Sequence, residues 1–268
     1  SITSTLLKIK PKIIINAAAY TNVEKAEEES GQAFRINSEA LKVIGEIARD
    51  LDALVVHYST DYVFDGKSLG FYVETDSMNP LNLYGKSKME GEFNLINSGS
   101  KHLIFRTSWV YSSFGNNFVK TMLRLGKQKE ELGVIFDQVG TPTYARDLAK
   151  TCLEILCGGS SVNISKNGNL YHYSNEGVAS WYDFAISIIE LGGENCKVKP
   201  IQTKDYPTLA KRPQYSVLDK SKIKTDFKNK KINFIKSNIP STVLNGVIKK
   251  MPYKLSEKRR DLHYALSF

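Results

Sequence analysis

Short aliphatic runs alternate with longer amphipathic stretches through the first half of the chain. "KIIINAAA" (12–19) is β-branched and compact, as a strand buried on both faces would be. In "AFRINSEALKVIGEIARDL" (33–51), Phe34, Leu41, Ile44, Ala48 and Leu51 fall on one helical stripe. "ALVVHYS" (53–59) predicts a second buried strand, and "HLIFRTSWVY" (102–111) a third, after a helix that carries Tyr84. "NFVKTMLRLGK" (117–127) reads as a helix and "LGVIFD" (132–137) as a strand. Such β–α alternation predicts an α/β fold, a doubly wound parallel sheet with helices on both faces.

Beyond residue 138 the pattern loosens. "ARDLAKTCLEIL" (145–156) is helical and "NLYHYSN" (169–175) strand-like, while "SWYDFAISIIEL" (180–191) opens on a capping pair, Ser180 and Asp183. "YPTLAKRPQY" (206–215), with two prolines, is irregular. The simplest division is a first domain over residues 1–138 and a smaller α/β domain built mainly from 139–268, with the strand near 170 free to rejoin the main sheet.

Composition narrows the class. The 268 residues suffice for one large domain or two unequal ones, and 41% hydrophobic with 24% charged residues is an ordinary globular mixture. No apolar run approaches the 18 or so residues needed to cross a bilayer, and no secretion-type leader is visible, so a cytoplasmic protein is expected. Cys152, Cys157 and Cys196 lack metal or redox spacing and read as reduced thiols. His57, His102, His172 and His263 are scattered and read as structural histidines, with no metal site. The net charge of +9 gathers late, in "DKSKIKTDFKNKKINFIK" and "KLSEKRR", with no nucleic-acid signature. Solvated lysines are the plain reading, and attraction of an anionic small molecule is the modest one.

In open parallel sheets, ligands bind beyond the carboxyl ends of the strands. After the first strand come the small residues of "NAAAYT", after the second "STDYVFDG", and after the third "TSWVY". Within "NPLNLYGKSKMEGE", Pro80 stops any earlier helix, so Tyr84 and Lys88 share one face of a new one. A free phenol titrates near 10, and a nearby ammonium lowers that value towards what a general acid needs. With Thr60 holding the same oxygen, the pair could bind and protonate a carbonyl while a hydride arrives at its carbon.

"STDYVFDG", "NPLNLYGKSKMEGE", "RTSWVY", "NNFVKTMLRL", "DQVGTPTYARDLA" and "YPTLAKRPQYSVLD" together resemble the dTDP-4-dehydrorhamnose reductase family of extended short-chain dehydrogenases/reductases, from about residue 11 to about 220. The resemblance implies a Rossmann-type NAD(P)-binding fold and reduction of the 4-keto group of dTDP-4-dehydro-L-rhamnose with NADPH or NADH. It implies that Tyr84 donates the proton, that Lys88 holds the nicotinamide ribose and acidifies the phenol, and that Thr60 orients the carbonyl. By the same likeness Ala17, Ala18, Ala19, Tyr20 and Thr21 line the dinucleotide, and Asp61 and Trp109 contact the deoxysugar nucleotide. Asn117 and Arg212 contact its sugar or diphosphate, a guanidinium fork suiting two oxygens at once. The plain alternatives are core packing for Trp109 and a surface turn for Arg212.

The chain also departs from that pattern. The family opens on a strand, a glycine-rich phosphate turn, a helix and a further strand, whereas this sequence starts at "SITSTLLKIKPK", which resembles the helix that follows them. Either the sequence is an incomplete copy of an ordinary reductase, the favoured expectation, or the unit is missing, in which case weak dinucleotide binding and association through an exposed sheet edge are expected. A homodimer is left open. The alternatives to a reductase are a regulatory binding subunit like the beta subunit of methionine adenosyltransferase, and an epimerase or reductase acting on another nucleotide sugar.

Overall fold

A computed structural model of the chain describes residues 1–157 and 169–227. His263, the basic segment "KLSEKRR" and the last part of "DKSKIKTDFKNKKINFIK" lie outside them. The elements run α1 (Ile2–Ile9), β1 (Ile13–Asn16), α2 (Lys25–Glu28), α3 (Ser30–Phe34), a wide π turn (Arg35–Glu39), α4 (Ala40–Asp50), β2 (Leu54–Thr60), α5 (Leu83–Asn97), β3 (Lys101–Thr107) and β4 (Val110–Tyr111). They continue with α6 (Phe118–Gln128), β5 (Glu131–Ile135), β6 (Val139–Gly140), β7 (Thr143–Tyr144), α7 (Ala145–Cys157), β8 (Asn169–His172), β9 (Ala179–Ser180), α8 (Trp181–Gly192), β10 (Lys197–Ile201) and α9 (Ser221–Asp226).

The main sheet is parallel throughout, in the order β1-β2-β3-β8. The inner strands β2 and β3 are apolar because both their faces are covered, whereas β1, expected from its sequence to be buried on both faces, has no buried residue. Val55 and Ile104 pack with Leu41, Ile44, Ala48 and Leu95 of α4 and α5. Val56, Leu103 and Phe105 face Leu148, Cys152 and Ile155 of α7 and Ile223 and Phe227 around α9. The doubly wound expectation holds, and the strand near 170 does rejoin the sheet, beside β3. On β1, Ile13 and Ile15 remain 43% and 47% exposed.

Three readings change in detail. "LGVIFD" does not extend the main sheet: β5 pairs with β10 in a separate parallel ribbon. Its core is shared with α6 and α8, through Val119, Met122, Leu132, Val134, Phe184 and Ile188. "HLIFRTSWVY" is not one strand, because Trp109 takes φ 47° and turns the chain, so that β4 leaves the main sheet and pairs with β7. Such a positive φ is uncommon for a bulky residue and marks an over-determined position. The helix predicted over 33–51 is interrupted by the π turn, whose extra residue rotates Asn37 and Ser38 inward to full burial.

That turn lies hard against α5. A Cβ built on Gly91 would stand 2.0 Å from the Asn37 carbonyl oxygen, so only glycine permits this approach. Gly91→Ala is expected to destabilise the fold by roughly 2 kcal/mol or more, the scale of an overpacked core. Gly31→Ala, at a helical position with nothing within 4 Å, is expected to be neutral or stabilising by about 0.5 kcal/mol. Denaturant unfolding of both variants checks the pair, and equal stabilities would contradict the close packing.

Candidate active site

The carboxyl ends of β1, β2 and β3 open into a cavity of about 1260 Å³. Its wall begins just after β1 with Ala17, Ala18, Ala19 and Thr21, small residues that form an open shelf. It continues through Thr60, Asp61, Tyr84 and Lys88, and reaches Trp109, Asn117, Trp181 and Arg212 on the far side. Of the residues singled out from sequence, only Tyr20 is absent from the lining. Its hydroxyl donates to Glu29 Oε2 at 2.7 Å, while its backbone N–H donates to Asn37 Oδ1 at 2.8 Å.

Helix α5 brings its pair to the cavity by local chemistry. Asn82, extended at φ −139°, accepts a hydrogen bond from Gly85 N at 2.7 Å and so caps the helix just before Tyr84. Lower on the same helix, Glu92 receives the Arg106 guanidinium at 2.7–3.1 Å and a hydrogen bond from Ser59 Oγ, with both ionic side chains almost fully buried. Strands β2 and β3 thereby grip α5 from below.

At the base of the cavity, Thr60 and Tyr84 both line the wall, and the Thr60 hydroxyl acts on the phenol to lower its pKa. Thr60 Oγ1 also donates to Asp61 Oδ1 at 3.2 Å and accepts from Tyr62 N at 3.1 Å. Burial pushes the Tyr84 phenol up to about 12, against the Thr60 hydroxyl that lowers it, and Asp61 adds to the rise. The acidification expected from Lys88 is therefore absent from this arrangement. Lys88 Nζ instead donates to Tyr58 O at 2.7 Å and lies 3.2 Å from His57 Nε2. Its own value is lowered to about 8 by burial, with Glu92 opposing.

Asp61 is buried, and its Oδ2 has no hydrogen-bond partner. Burial raises its carboxyl to about 7, against hydrogen bonds from Ser216 and Thr60. Arg212 holds Glu24 at 2.7 Å through Nη2, while its buried Nε is unpartnered. Asn117 caps α6 by accepting from Lys120 N at 3.2 Å and also donates to Ser112 O at 2.7 Å. Trp109 stacks on Trp181 with ring centroids 3.6 Å apart, close against Gly140, where a Cβ would come within 2.8 Å of the indole.

Sequence reasoning missed several participants. Trp181 carries no sequence signal beyond a helix start, and Thr107, in the "TSWVY" strand end, lines the cavity with a buried, unpartnered Oγ1 that the sequence does not reveal. Asn37, whose Nδ2 donates to Tyr20 O and Ser87 Oγ, both at 3.0 Å, ties the shelf to α5 and had no local signal beyond a polar residue on a helical stripe. Among the described residues, no cluster of potential metal ligands occurs and no helix is long and apolar enough to cross a membrane.

The cavity fits a dinucleotide with a second ligand beside it: it is larger than a single drug-sized site, the shelf of small side chains lets a ligand approach the backbone, and two of its lining residues, Asp61 and Thr107, carry buried polar atoms without a partner. Comparisons with known proteins point the same way. A dTDP-4-dehydrorhamnose reductase of Aggregatibacter actinomycetemcomitans is 46% identical over 233 residues, covering 84% of this chain and 78% of the relative. A crystal structure of a dTDP-4-dehydrorhamnose reductase from Clostridium acetobutylicum superposes with TM-score 0.82 at 39% identity, covering 92% of this chain and 84% of that one. The dTDP-4-dehydrorhamnose reductase of Bacillus anthracis, solved in complex with NADP, superposes with TM-score 0.78 at 37% identity, covering 84% and 78%. The sequence profile described as RmlD substrate binding domain matches residues 1–243, and the chain belongs to that family.

Proposed function

We propose that the chain reduces the 4-keto group of dTDP-4-dehydro-L-rhamnose to give dTDP-L-rhamnose. The observation that carries this reading is the meeting of Thr60, Tyr84 and Lys88 on one wall of a cavity able to take two ligands. Bound NADPH or NADH supplies the hydride. The residues that would hold it are Ala17, Ala18, Ala19 and Thr21 along the shelf, with the Tyr20 backbone, and Lys88 at the nicotinamide end.

Tyr84 is the proton donor. A phenol raised to about 12 by burial is fully protonated at neutral pH, the form a general acid must have. As negative charge grows on the ketone oxygen, the phenol hands over its proton, and Thr60 hydrogen-bonds both groups. The Lys88 cation, one helical turn along, then stabilises the phenolate and so lowers the cost of the transfer. Asp61 and Trp109 contact the deoxysugar nucleotide, and Arg212 and Asn117 its sugar or diphosphate. For Arg212, a diphosphate would compete with Glu24 for the guanidinium. The β5–β10 unit with α6 and α8 forms the substrate side, and the main sheet the dinucleotide side. A regulatory binding subunit would have no need of Thr60, Tyr84 and Lys88 together on one cavity wall.

Tyr84→Phe is expected to lower turnover by about 10²–10⁴-fold, the usual worth of a general acid, and to leave NADPH affinity nearly unchanged by fluorescence titration. Turnover within a few-fold of the parent chain would remove Tyr84 from this role. Asp61 yields a pH signature. Its carboxyl titrates higher in the folded state (about 7) than in the unfolded state, so the unfolded chain loses the proton first. Its contribution to stability therefore declines from about pH 4 to about pH 7 and is level above. Asp61→Asn is expected to abolish that decline, gain stability at pH 8 and lose substrate affinity, as read by denaturant unfolding across pH and by KM.

A further inference from the structure

His57 reads from sequence as a structural histidine. The structure gives it contacts on two sides that a packing role does not require. It is fully buried on β2, directly paired in the sheet with Asn16, the last residue before the alanine shelf. Its Nε2 lies 3.2 Å from Lys88 Nζ, and its Nδ1 lies 3.2 Å from Asn16 Nδ2. Asn16 in turn accepts the Ala18 N–H through Oδ1 at 3.2 Å. Contacts between polar groups thus run from the shelf to the lysine, with a donor, the Asn16 amide nitrogen or the Lys88 amino group, against each ring nitrogen. We propose that His57 is a positioning residue that fixes the Lys88 amino group and couples it to the shelf through Asn16, an inference that rests on the role given above to Lys88.

Two constraints support it. Lys88 Nζ has three hydrogens as an ammonium; Tyr58 O takes one and His57 Nε2 can take a second, which leaves one for the cavity that Lys88 lines. The ring is also held neutral, since burial, and then the adjacent Lys88, keep it from protonating. A neutral imidazole has one donor and one acceptor, so what Nε2 does towards Lys88 dictates what Nδ1 does towards Asn16. If Nδ1 accepts from Asn16 Nδ2, as the 3.2 Å contact places them, Nε2 carries the ring hydrogen and needs a lone pair on Lys88; if Nε2 accepts from the Lys88 ammonium, Nδ1 carries the hydrogen and the Asn16 amide must turn its oxygen to it and release the Ala18 N–H. A change at Lys88 is therefore felt at the shelf, and a ligand on the shelf is felt at Lys88.

Two substitutions separate this from packing. In His57→Gln the amide oxygen reaches the place of Nε2 and still accepts from Lys88. In His57→Asn it reaches only the place of Nδ1. His57→Asn is expected to lower kcat/KM and weaken NADPH binding on the order of 10- to 100-fold, the worth of one hydrogen bond to a charged group. His57→Gln is expected to recover most of both, with similar Tm for the two variants. Equal losses in both variants, or none in either, would overturn the proposal. If His57→Asn fails to fold, the ¹⁵N resonances of the His57 ring in the parent chain decide: they are expected to move in Asn16→Ala and in Lys88→Met, and an unmoved ring overturns the coupling. Lys88→Met also isolates the underlying reading. Unchanged turnover and NADPH affinity in that variant would sink the role of Lys88, while the ring resonances still report the contact itself.

Discussion

The site depends on a charge pair that never meets water. Glu92 on α5 receives the Arg106 guanidinium from β3 and the Ser59 hydroxyl from β2, with the ionic side chains 0% and 3% exposed. Desolvating both ions offsets most of their attraction, so the pair adds little net stability. Its contribution is geometric. The carboxylate has a satisfactory partner set in one position of α5 only, and a helix displaced by one turn would move about 5.4 Å. Lys88 sits one turn above Glu92 and Tyr84 one turn above that, so the buried pair sets how far both side chains reach towards Thr60.

Burial then governs the chemistry. Tyr84, Lys88, His57 and Asp61 are all shifted first by loss of solvent, and in each case towards the neutral form. The phenol keeps its proton, and the lysine leans on Tyr58 O and His57. Lysine and tyrosine four apart on a helix share a face, but their mutual electrostatics depend on where each flexible end finds a partner. The other half of the cavity is held by contacts across it. Asn82 donates to Lys211 O at 2.7 Å, and Glu24 accepts from Arg212 and from the backbone of Leu209 and Ala210. The proline-rich segment after residue 205 is thus tied to the beginning of α5 and to the loop after β1.

Much of this was legible in the sequence because it is local. A strand covered on both faces must be continuously apolar, so β2 and β3 stand out as aliphatic runs, and β1 stands out the same way although one of its faces stays open. Pro80 bars an earlier helix from running into α5, and position i with i+4 puts Tyr84 and Lys88 on one face. Ser180 and Asp183 form the capping pair expected of them, each bonding the other's backbone. The motifs that carry the family resemblance are likewise local strings, which is why they could be recognised without any fold.

What tertiary structure alone decided is non-local. Periodicity cannot reveal a π turn, since one extra residue leaves the composition of the stripe unchanged while rotating Asn37 inward. It cannot tell which sheet a short run joins, and β5 pairs with β10 from more than sixty residues away in sequence. Nor can it foresee that His57, one of four scattered histidines, meets Asn16 and Lys88, or that Arg106, Glu92 and Ser59 converge beneath the site. Sequence by itself determined most of the elements, their order and the placing of Tyr84 and Lys88 on one helix face, because those follow from backbone geometry and solvent exclusion over a few residues. Partnership and protonation were left to the folded state, because both depend on distances and on the loss of water, which exist only once the chain has closed on itself.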